Sequence, residues 1–350
     1  KASYKQKRKK KFMSSLVSKL FEWKKPSRPI KIRGKNTVLY VRNQTSRFMP
    51  FINHPYVVEL VCAVLARALK VYKGVVLCHY VFTPRGYEMI ITGDSTKLSP
   101  FMGYIDKTFT DLFKKLLNIP EKSLWIDRFW EELVGSSYGV KLKIVSMYLK
   151  PLLLGLCQNI RSYGLLSSFI YIIRALKRKK CYSIHFPLYF EKLSTLNSEI
   201  TKEEEKELLK TLHWWRGVAG VKLAIKPFYW KKCFKDIRKT PDLVIFKDIL
   251  KIFLEELRRN KDKITGKRGR VPLRELFNTY NPKRRTRPPY IFCPEDERRA
   301  ILYKFYYEFC CACSKAYQLW ITEKILSYPR GAFIPTGPPF EIFEEGECFW

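Results

Sequence analysis

The excess of positive charge constrains this chain more than any other feature of its sequence. Its 350 residues include 67 Lys and Arg against 32 Asp and Glu, a formal net charge of +35. Like charges held in one compact body repel each other and oppose folding. A polyanion relieves that repulsion, and its binding releases the counterions condensed on its phosphates. The charge therefore predicts a nucleic-acid partner. An anionic membrane surface is the alternative, and solubility alone needs far less charge.

The apolar content indicates a folded protein rather than a basic tail. Hydrophobic residues make up 46% of the chain and aromatic residues 15%, which is enough to build a core. The longest uncharged apolar stretch, residues 162–173, is too short to cross a bilayer, so no membrane span is expected. Most of the ten cysteines stand among apolar residues, which predicts reduced thiols in a reducing intracellular compartment.

The charge pattern divides the chain into three predicted regions. Residues 1–35 are a basic arm with fourteen basic residues and one acid, Glu22. Such an arm is typical either of an organellar targeting remnant or of a segment that lies along nucleic acid. Because the chain begins at Lys1 rather than Met, we expect a processed end, which suits the mitochondrial matrix or another organelle; the cytoplasm is the alternative. Residues 36–156 are predicted to be an α+β domain and residues 157–350 a mainly α-helical extension with basic loops.

Hydrophobic periodicity predicts the elements within these regions. The α+β domain is expected to contain strands at 37–41, 74–83 and 87–92, helices at 54–71 and 99–118, an extended piece at 123–134, and a helix that passes Tyr148 and stops at Pro151. The extension is expected to contain helices at 160–177, 242–259 and 295–327, and one that begins at the capping box of Thr201. In the helix at 242–259, apolar residues at helical spacing predict a buried stripe of Phe246, Ile249, Leu250, Phe253, Leu254 and Leu257.

Three short strings and the order of these elements resemble one protein family. Residues 81–91 are similar to a strand that carries Met-Pro-Asn-His-hydrophobic-His, and residues 124–129 resemble a Leu-Trp-x-x-Arg-Tyr/Phe string. Residues 147–151 fall near an Arg-Tyr-Ile-x-x-Asn-Pro segment. These strings belong to the single-tyrosine HUH transposases, in particular the REP-associated tyrosine transposases. The resemblance covers residues 36–156 and implies a ferredoxin-like, HUH-type antiparallel sheet with helices on one face.

The same resemblance implies that the catalytic groups are vestigial. In the family, two histidines on one strand bind a metal that polarises the scissile phosphate, and a helix tyrosine attacks it. Gly86 and Glu88 match the histidines, and Tyr148 matches the nucleophile. A glycine ligates nothing and a lone carboxylate makes a poor metal site, although His79 is a candidate replacement. We therefore expect no metal, no cofactor and no catalysis. A metal-dependent single-strand DNA transesterase that uses Tyr148 is the alternative.

Basic clusters supply the predicted nucleic-acid-binding residues. In the arm they are Lys7, Arg8, Lys9, Lys10, Lys11, Lys24, Lys25 and Arg28, and in two loops they are Lys267, Arg268, Arg270, Lys283, Arg284, Arg285 and Arg287. Prolines beside the second loop cluster favour an extended strip, along which guanidinium groups can bind phosphates bidentately. Aromatic residues beside cations, as at 214–216, 228–232, Tyr280 and Tyr290, can stack unpaired bases. Core packing is the alternative for Trp214 and Trp215.

The cysteines at 310, 311 and 313 allow two interpretations. They could bind zinc together with Cys293 and Cys348, but the sequence has no second Cys-x-x-Cys knuckle. On a helix Cys310 and Cys313 share a face that Cys311 does not, so small buried thiols are the favoured interpretation.

Charge and form together favour a non-catalytic, RNA-leaning binding protein. Basic arms and loops spread over the chain suit a structural component of a ribonucleoprotein, such as an organellar ribosome, with ribosomal RNA and neighbouring proteins as partners. Two alternatives stay open: a Tyr-dependent DNA nickase or transposase, and a protein that binds DNA hairpins.

Overall fold

Short strands and helices alternate along the chain. The structure, a computed structural model, describes residues 30–49, 51, 55–117, 124–177, 185–186, 221–265 and 290–333. The strands are β1 (Lys31–Ile32), β2 (Leu39–Gln44), β3 (Val75–Thr83), β4 (Gly86–Gly93), β5 (Trp130–Val134), β6 (His185–Phe186), β7 (Val221–Lys222), β8 (Ile291–Phe292) and β9 (Ala332–Phe333). The helices are α1 (Pro55–Val71), α2 (Leu98–Leu117), α3 (Ser137–Leu153), α4 (Phe169–Leu176), α5 (Asp242–Arg259), α6 (Lys261–Thr265) and α7 (Asp296–Glu323). Short 3-10 segments lie at Ser95–Lys97, Ile160–Leu166 and Tyr229–Cys233.

A five-stranded sheet in the order β3-β4-β2-β5-β8 organises the larger part of the described chain. Its first four strands pair antiparallel and β8 joins β5 in parallel. Almost every residue of β3 and β4 is buried, as expected for strands covered on both faces. The predicted α+β class, with its antiparallel sheet and helical C-terminal region, is confirmed.

Helices cover both faces of the sheet, where the sequence predicted them on one. Residues directly opposite each other in an antiparallel pair share a face. Tyr80 and Phe82 face α1 and α2, since Tyr80 contacts Cys62 and the Phe82 ring lies 5.5 Å from that of Phe109. His79 points to the other side and meets Tyr148 of α3. We call these the α1/α2 face and the α3 face.

The chain forms two compact units. One contains the described residues up to Ile32 and from Phe309 onward, where β1 pairs antiparallel with β9 and Lys31 stands opposite Phe333. The other contains the described residues between Arg33 and Glu308, and it includes the five-stranded sheet. The three predicted regions, with boundaries at 36 and 157, stay a prediction.

Three predicted helices differ from those observed. Helix α7 ends at Glu323 rather than at residue 327, and Lys324 after it has a φ of 59°. Helix α3 continues past Pro151 to Leu153, because a proline in the last turn removes only one hydrogen bond and the following N–H groups still bond back to the helix carbonyls. The helix predicted at 160–177 is divided into a 3-10 segment and α4. Gly164, at φ 67° and ψ −150°, breaks the helical geometry between them.

Helix α5 has the predicted ends but a different buried side. Its fully buried residues are Ile245, Ile249 and Phe253. Of the predicted stripe, Leu254 is 46% exposed, while Phe246, Leu250 and Leu257 are half-buried. The apolar stripe is therefore wider than the surface that packs against it. The centre of the buried side is rotated by about one residue from the centre of the predicted stripe. None of the helices in the described ranges is both long and apolar enough to cross a membrane.

Candidate nucleic-acid interface

The position that matches the first metal-binding histidine cannot carry a side chain. Gly86 begins β4 with φ at +127°, a backbone conformation that residues with a Cβ rarely adopt. A Cβ placed there would lie 2.1 Å from the Asn43 carbonyl oxygen of the neighbouring strand. The close approach of β2 and β4 thus excludes a ligand at this site.

The position that matches the second histidine is occupied by an ion pair. Glu88 is 5% exposed, and its Oε1 contacts the ammonium group of Lys150 in the last turn of α3. The second oxygen, Oε2, is buried with no hydrogen-bond partner among the described residues. A metal at Glu88 would have to displace the lysine and find its other ligands elsewhere.

Tyr148 is enclosed between the sheet and α4. It is 1% exposed, and its hydroxyl group lies 2.8 Å from His79 Nδ1 and 3.0 Å from Ser168 Oγ. Ser168 is itself fixed to the backbone of Tyr80, whose N–H donates to its Oγ at 2.8 Å. Burial raises the pKa of the Tyr148 hydroxyl far above its ordinary value, so the group stays protonated and serves as a buried hydrogen-bonding centre.

His79 is a neutral, buried partner of that tyrosine. Burial lowers its pKa from 6.5 to about 3, and a hydrogen bond with the backbone of Pro227 opposes the shift. Its Nδ1 hydrogen-bonds with the Tyr148 hydroxyl group, and its Nε2 is buried. Within the ranges that the structure describes, no three His, Cys, Asp or Glu side chains are grouped to hold a metal ion.

The other predicted site residues fall into two groups. Cys310 and Cys313 are buried on α7 and Cys311 is half-buried, as the helical spacing predicts. The predicted nucleic-acid-binding residues all lie outside the described residues: Lys7, Arg8, Lys9, Lys10, Lys11, Lys24, Lys25, Arg28, Lys267, Arg268, Arg270, Lys283, Arg284, Arg285 and Arg287. The same holds for Trp214, Trp215, Tyr280, Cys348 and the capping box at Thr201. These stay predictions.

A cationic stretch that the structure does describe runs from residue 226 to residue 239, and we call it the basic segment. Its 3-10 turn is closed by hydrogen bonds of the i to i+3 type, from Tyr229 N–H to the Lys226 carbonyl and from Phe234 N–H to the Lys231 carbonyl. Because a 3-10 helix has three residues per turn, positions three apart lie in a row. Lys226, Lys232 and Lys235 flank Tyr229 at intervals of three in the sequence, with Lys232 inside the 3-10 turn, Lys226 before it and Lys235 after Phe234, whose backbone is extended. We call these three residues the lysine row.

The basic segment packs on the α3 face of the sheet and contacts β3 and β4. Trp230 is fully buried and Phe228 and Cys233 nearly so, while the Thr92 hydroxyl lies 3.2 Å from Cys233 Sγ. The Lys226 N–H donates to the Leu77 carbonyl of β3 at 3.1 Å. These contacts fix the backbone of the turn, so the side chains that point outward are presented from a rigid support.

The outward side chains of the basic segment carry unneutralised charge. Lys226, Lys232, Lys235, Arg238 and Lys239 are all exposed. Among the described residues, Lys235, Arg238 and Lys239 have no hydrogen-bond or ion-pair partner, and the ammonium groups of Lys226 and Lys232 lie 5.3 and 4.4 Å from the centre of the Tyr229 ring. The one acid of the segment, Asp236, accepts a 2.5 Å hydrogen bond from Ser137. Lys231 is the exception, because it pairs with Asp242.

The sequence marked residues 228–232 as a basic–aromatic cluster without separating its members. In the structure Phe228 and Trp230 are buried in the core, and Tyr229 is half-buried beside Lys226 and Lys232. The three-residue spacing of the lysine row was the signal that could have identified the outward side.

Comparison with known proteins gives distant structural likenesses only. No protein-family model matches the chain, and no curated protein matches it. One similar solved structure is a REP-associated tyrosine transposase bound to a REP hairpin, with 16% identity, a TM-score of 0.35, and coverage of 45% of this chain and 87% of that one. Another is the tRNA(His) guanylyltransferase from Saccharomyces cerevisiae, with 13% identity, a TM-score of 0.30, and coverage of 63% and 99%. Scores this low carry no argument about function.

Proposed function

We propose that this chain is a non-catalytic nucleic-acid-binding protein and that the basic segment is one of its contact surfaces. The observation that supports this most directly is the set of exposed cations between residues 226 and 239, which have no carboxylate partner among the described residues. Phosphates are the anions that such a fixed row of ammonium and guanidinium groups fits. The net charge of +35 supports the same partner for the chain as a whole.

RNA is the favoured nucleic acid, and a ribonucleoprotein such as an organellar ribosome is the favoured setting. A tyrosine ring among lysines suits the unpaired bases of structured RNA. Basic residues distributed from the arm to the loops suit a component that contacts RNA and neighbouring proteins over a large surface.

The absence of catalysis is part of the same proposal. Gly86 offers no ligand, Glu88 is paired with Lys150, and the Tyr148 hydroxyl is buried between His79 and Ser168. A nicking assay on single-stranded DNA hairpins with magnesium or manganese tests it directly. We expect no cleavage by the wild type, and cleavage that is lost in Tyr148→Phe would overturn this part.

Salt-dependent binding of RNA tests the contact surface. A variant with Lys226, Lys232 and Lys235 all changed to Gln removes three charges, so we expect the slope of log K against log salt to fall by about 2 if each lysine meets one phosphate of a single strand. The matched control changes Lys70, Lys73 and Lys107 to Gln. These lysines are equally exposed but belong to the helices of the α1/α2 face and the turn after α1. An equal fall in both variants would indicate nonspecific charge attraction and contradict the assignment of the surface.

A further inference from the structure

We propose that the basic segment binds a single-stranded stretch of nucleic acid, with one unpaired base stacked on the Tyr229 ring and neighbouring phosphates held by the lysine row. This inference rests on the proposed function and names the form of nucleic acid that the surface takes. The site lies outside residues 36–156, the part of the chain that resembles the transposases.

Tyr229 differs from the aromatic residues on either side of it. Phe228 is 5% exposed and Trp230 is fully buried, so these two rings are used in packing. The Tyr229 ring is half-buried, and the ring contacts that the structure gives it are those with the ammonium groups of Lys226 and Lys232. A ring held on a fixed turn and left beside two cations is available to a ligand in a way that its neighbours are not.

The two lysines would exchange one partner for another when a strand binds. An exposed cation–π contact is worth a factor of about 2 to 5 in an equilibrium constant, whereas stacking of one base on an aromatic side chain is worth a factor of about 5 to 150. A base can therefore displace an ammonium group from the ring. The displaced ammonium group then finds a phosphate of the same strand, so its charge is not left without a partner.

A duplex cannot use the ring in this way. Its bases are stacked on each other and turn only their edges to a protein, while the faces of unpaired bases are open to aromatic side chains. The lysine row can attract the phosphates of either form, so the lysines alone do not distinguish them. Tyr229 is the residue that confers the preference for a single strand.

Binding of a short fluorescent oligonucleotide as single-stranded RNA, single-stranded DNA and duplex of the same sequence tests this inference. We expect Tyr229→Leu to bind both single strands about 10-fold more weakly than the wild type and to bind the duplex unchanged. Tyr229→Phe keeps the ring and is expected to bind like the wild type. The single strand that binds more tightly shows whether the site prefers RNA or DNA, and we expect RNA. Equal losses on single strand and duplex, or no loss on the single strand, would overturn the inference.

A change in the ligand gives the same test without relying on the fold of a variant. An oligonucleotide with abasic sites keeps its phosphates and loses its bases, so we expect the wild type to bind it about 10-fold more weakly than the parent strand. Tyr229→Leu is expected to bind both equally. If the lysine-row variant loses affinity while these two comparisons show no effect of the base, the proposed function stands and the single-strand inference fails. If the lysine-row variant binds like the wild type, both fail.

Discussion

The five-stranded sheet and the basic segment use their charges in opposite ways. In and around the sheet each of several charged groups has a partner: Arg33 pairs with Glu131, Lys143 with Glu132 and Lys150 with Glu88. In the basic segment Lys235, Arg238 and Lys239 have none among the described residues. Buried ions require a partner because desolvation penalises a lone charge, whereas exposed ions do not. The comparison separates charge that holds the fold together from charge that is available to a ligand.

The largest effect on stability is expected at the ion pair whose two side chains are most deeply buried. Arg33 is fully buried, and its Nη2 donates to both oxygens of Glu131 at 2.9 and 2.8 Å. Arg33→Met leaves a buried carboxylate without this partner, and we expect a loss of about 3–5 kcal/mol in the free energy of unfolding, measured by urea denaturation. Arg33→Met combined with Glu131→Leu should recover most of that loss. A single variant as stable as the wild type would contradict the role given to the pair.

Placing a histidine at Gly86 should lower the free energy of unfolding somewhat less. In Gly86→His the new Cβ would meet the Asn43 carbonyl oxygen at a backbone φ of +127°, so strain and overpacking are expected to lower stability by about 2–3 kcal/mol. Urea denaturation measures the loss, and titration with manganese followed by paramagnetic resonance is expected to show no bound ion. A stable variant that binds manganese would contradict both expectations.

The pH dependence of stability distinguishes two titratable side chains of the sheet region whose pKa values burial shifts in opposite directions. Asp106 of α2 accepts hydrogen bonds from Asn43 at 2.8 Å and Tyr87 at 2.5 Å, and burial raises its pKa from 3.8 to about 7. Between these values the folded protein binds a proton that the unfolded chain has released, so this group makes stability fall as pH rises. The stability of Asp106→Asn relative to the wild type should therefore increase from pH 4 to pH 7.

A variant of His79 is expected to show the opposite dependence of stability on pH. Because burial lowers the pKa of His79 to about 3, the unfolded chain binds more protons than the folded one between that value and 6.5. His79 therefore makes stability rise with pH in this window. The stability of His79→Asn relative to the wild type should decrease as pH rises. Parallel curves for the wild type and both variants would contradict the assignment of these two groups.

The smallest effect on stability is expected at the lysine row. Changing Lys226, Lys232 and Lys235 to Gln removes exposed charges that make no ion pair in the described part of the chain. Only the two exposed cation–π contacts with Tyr229 are lost, so the free energy of unfolding should fall by no more than about 1–2 kcal/mol. Thermal or urea unfolding measures this. A large loss of stability would mean that the row belongs to the framework and would remove the contrast between the two regions.

Local sequence patterns predicted the fold well where the decisive interactions are local. The predicted strand at 74–83 and the helix at 242–259 match β3 and α5 within one residue, because β-branched runs and helical spacing act within single elements. The break at Gly164 depends on one backbone conformation, and the buried side of α5 depends on what covers it. Neither is encoded in the periodicity of a single segment.

The sequence likewise predicted only those features of the candidate site that depend on single residues, and not the contacts between distant residues. Gly86 and Glu88 showed from sequence that two ligands were missing, but the ion pair with Lys150 joins residues 62 positions apart and needs the packed α3 face. For His79, which stays a candidate ligand from the sequence, the periodicity of its strand could not show the contact with Tyr148, 69 positions away. At residues 228–232 composition could not say which ring points outward, because only the 3-10 turn fixes that choice.

The hydrogen bond from Lys226 N–H to the Leu77 carbonyl has a consequence for self-association. β3 is the outermost strand of the sheet, and an outermost strand with free amides and carbonyls is a template on which another polypeptide can add. The backbone of Lys226, at the start of the basic segment, covers part of this strand edge. The cationic side chains of the segment also repel a second copy of the chain. A change that detaches the segment would therefore remove the proposed contact surface and also expose the edge of β3 to aggregation by strand addition.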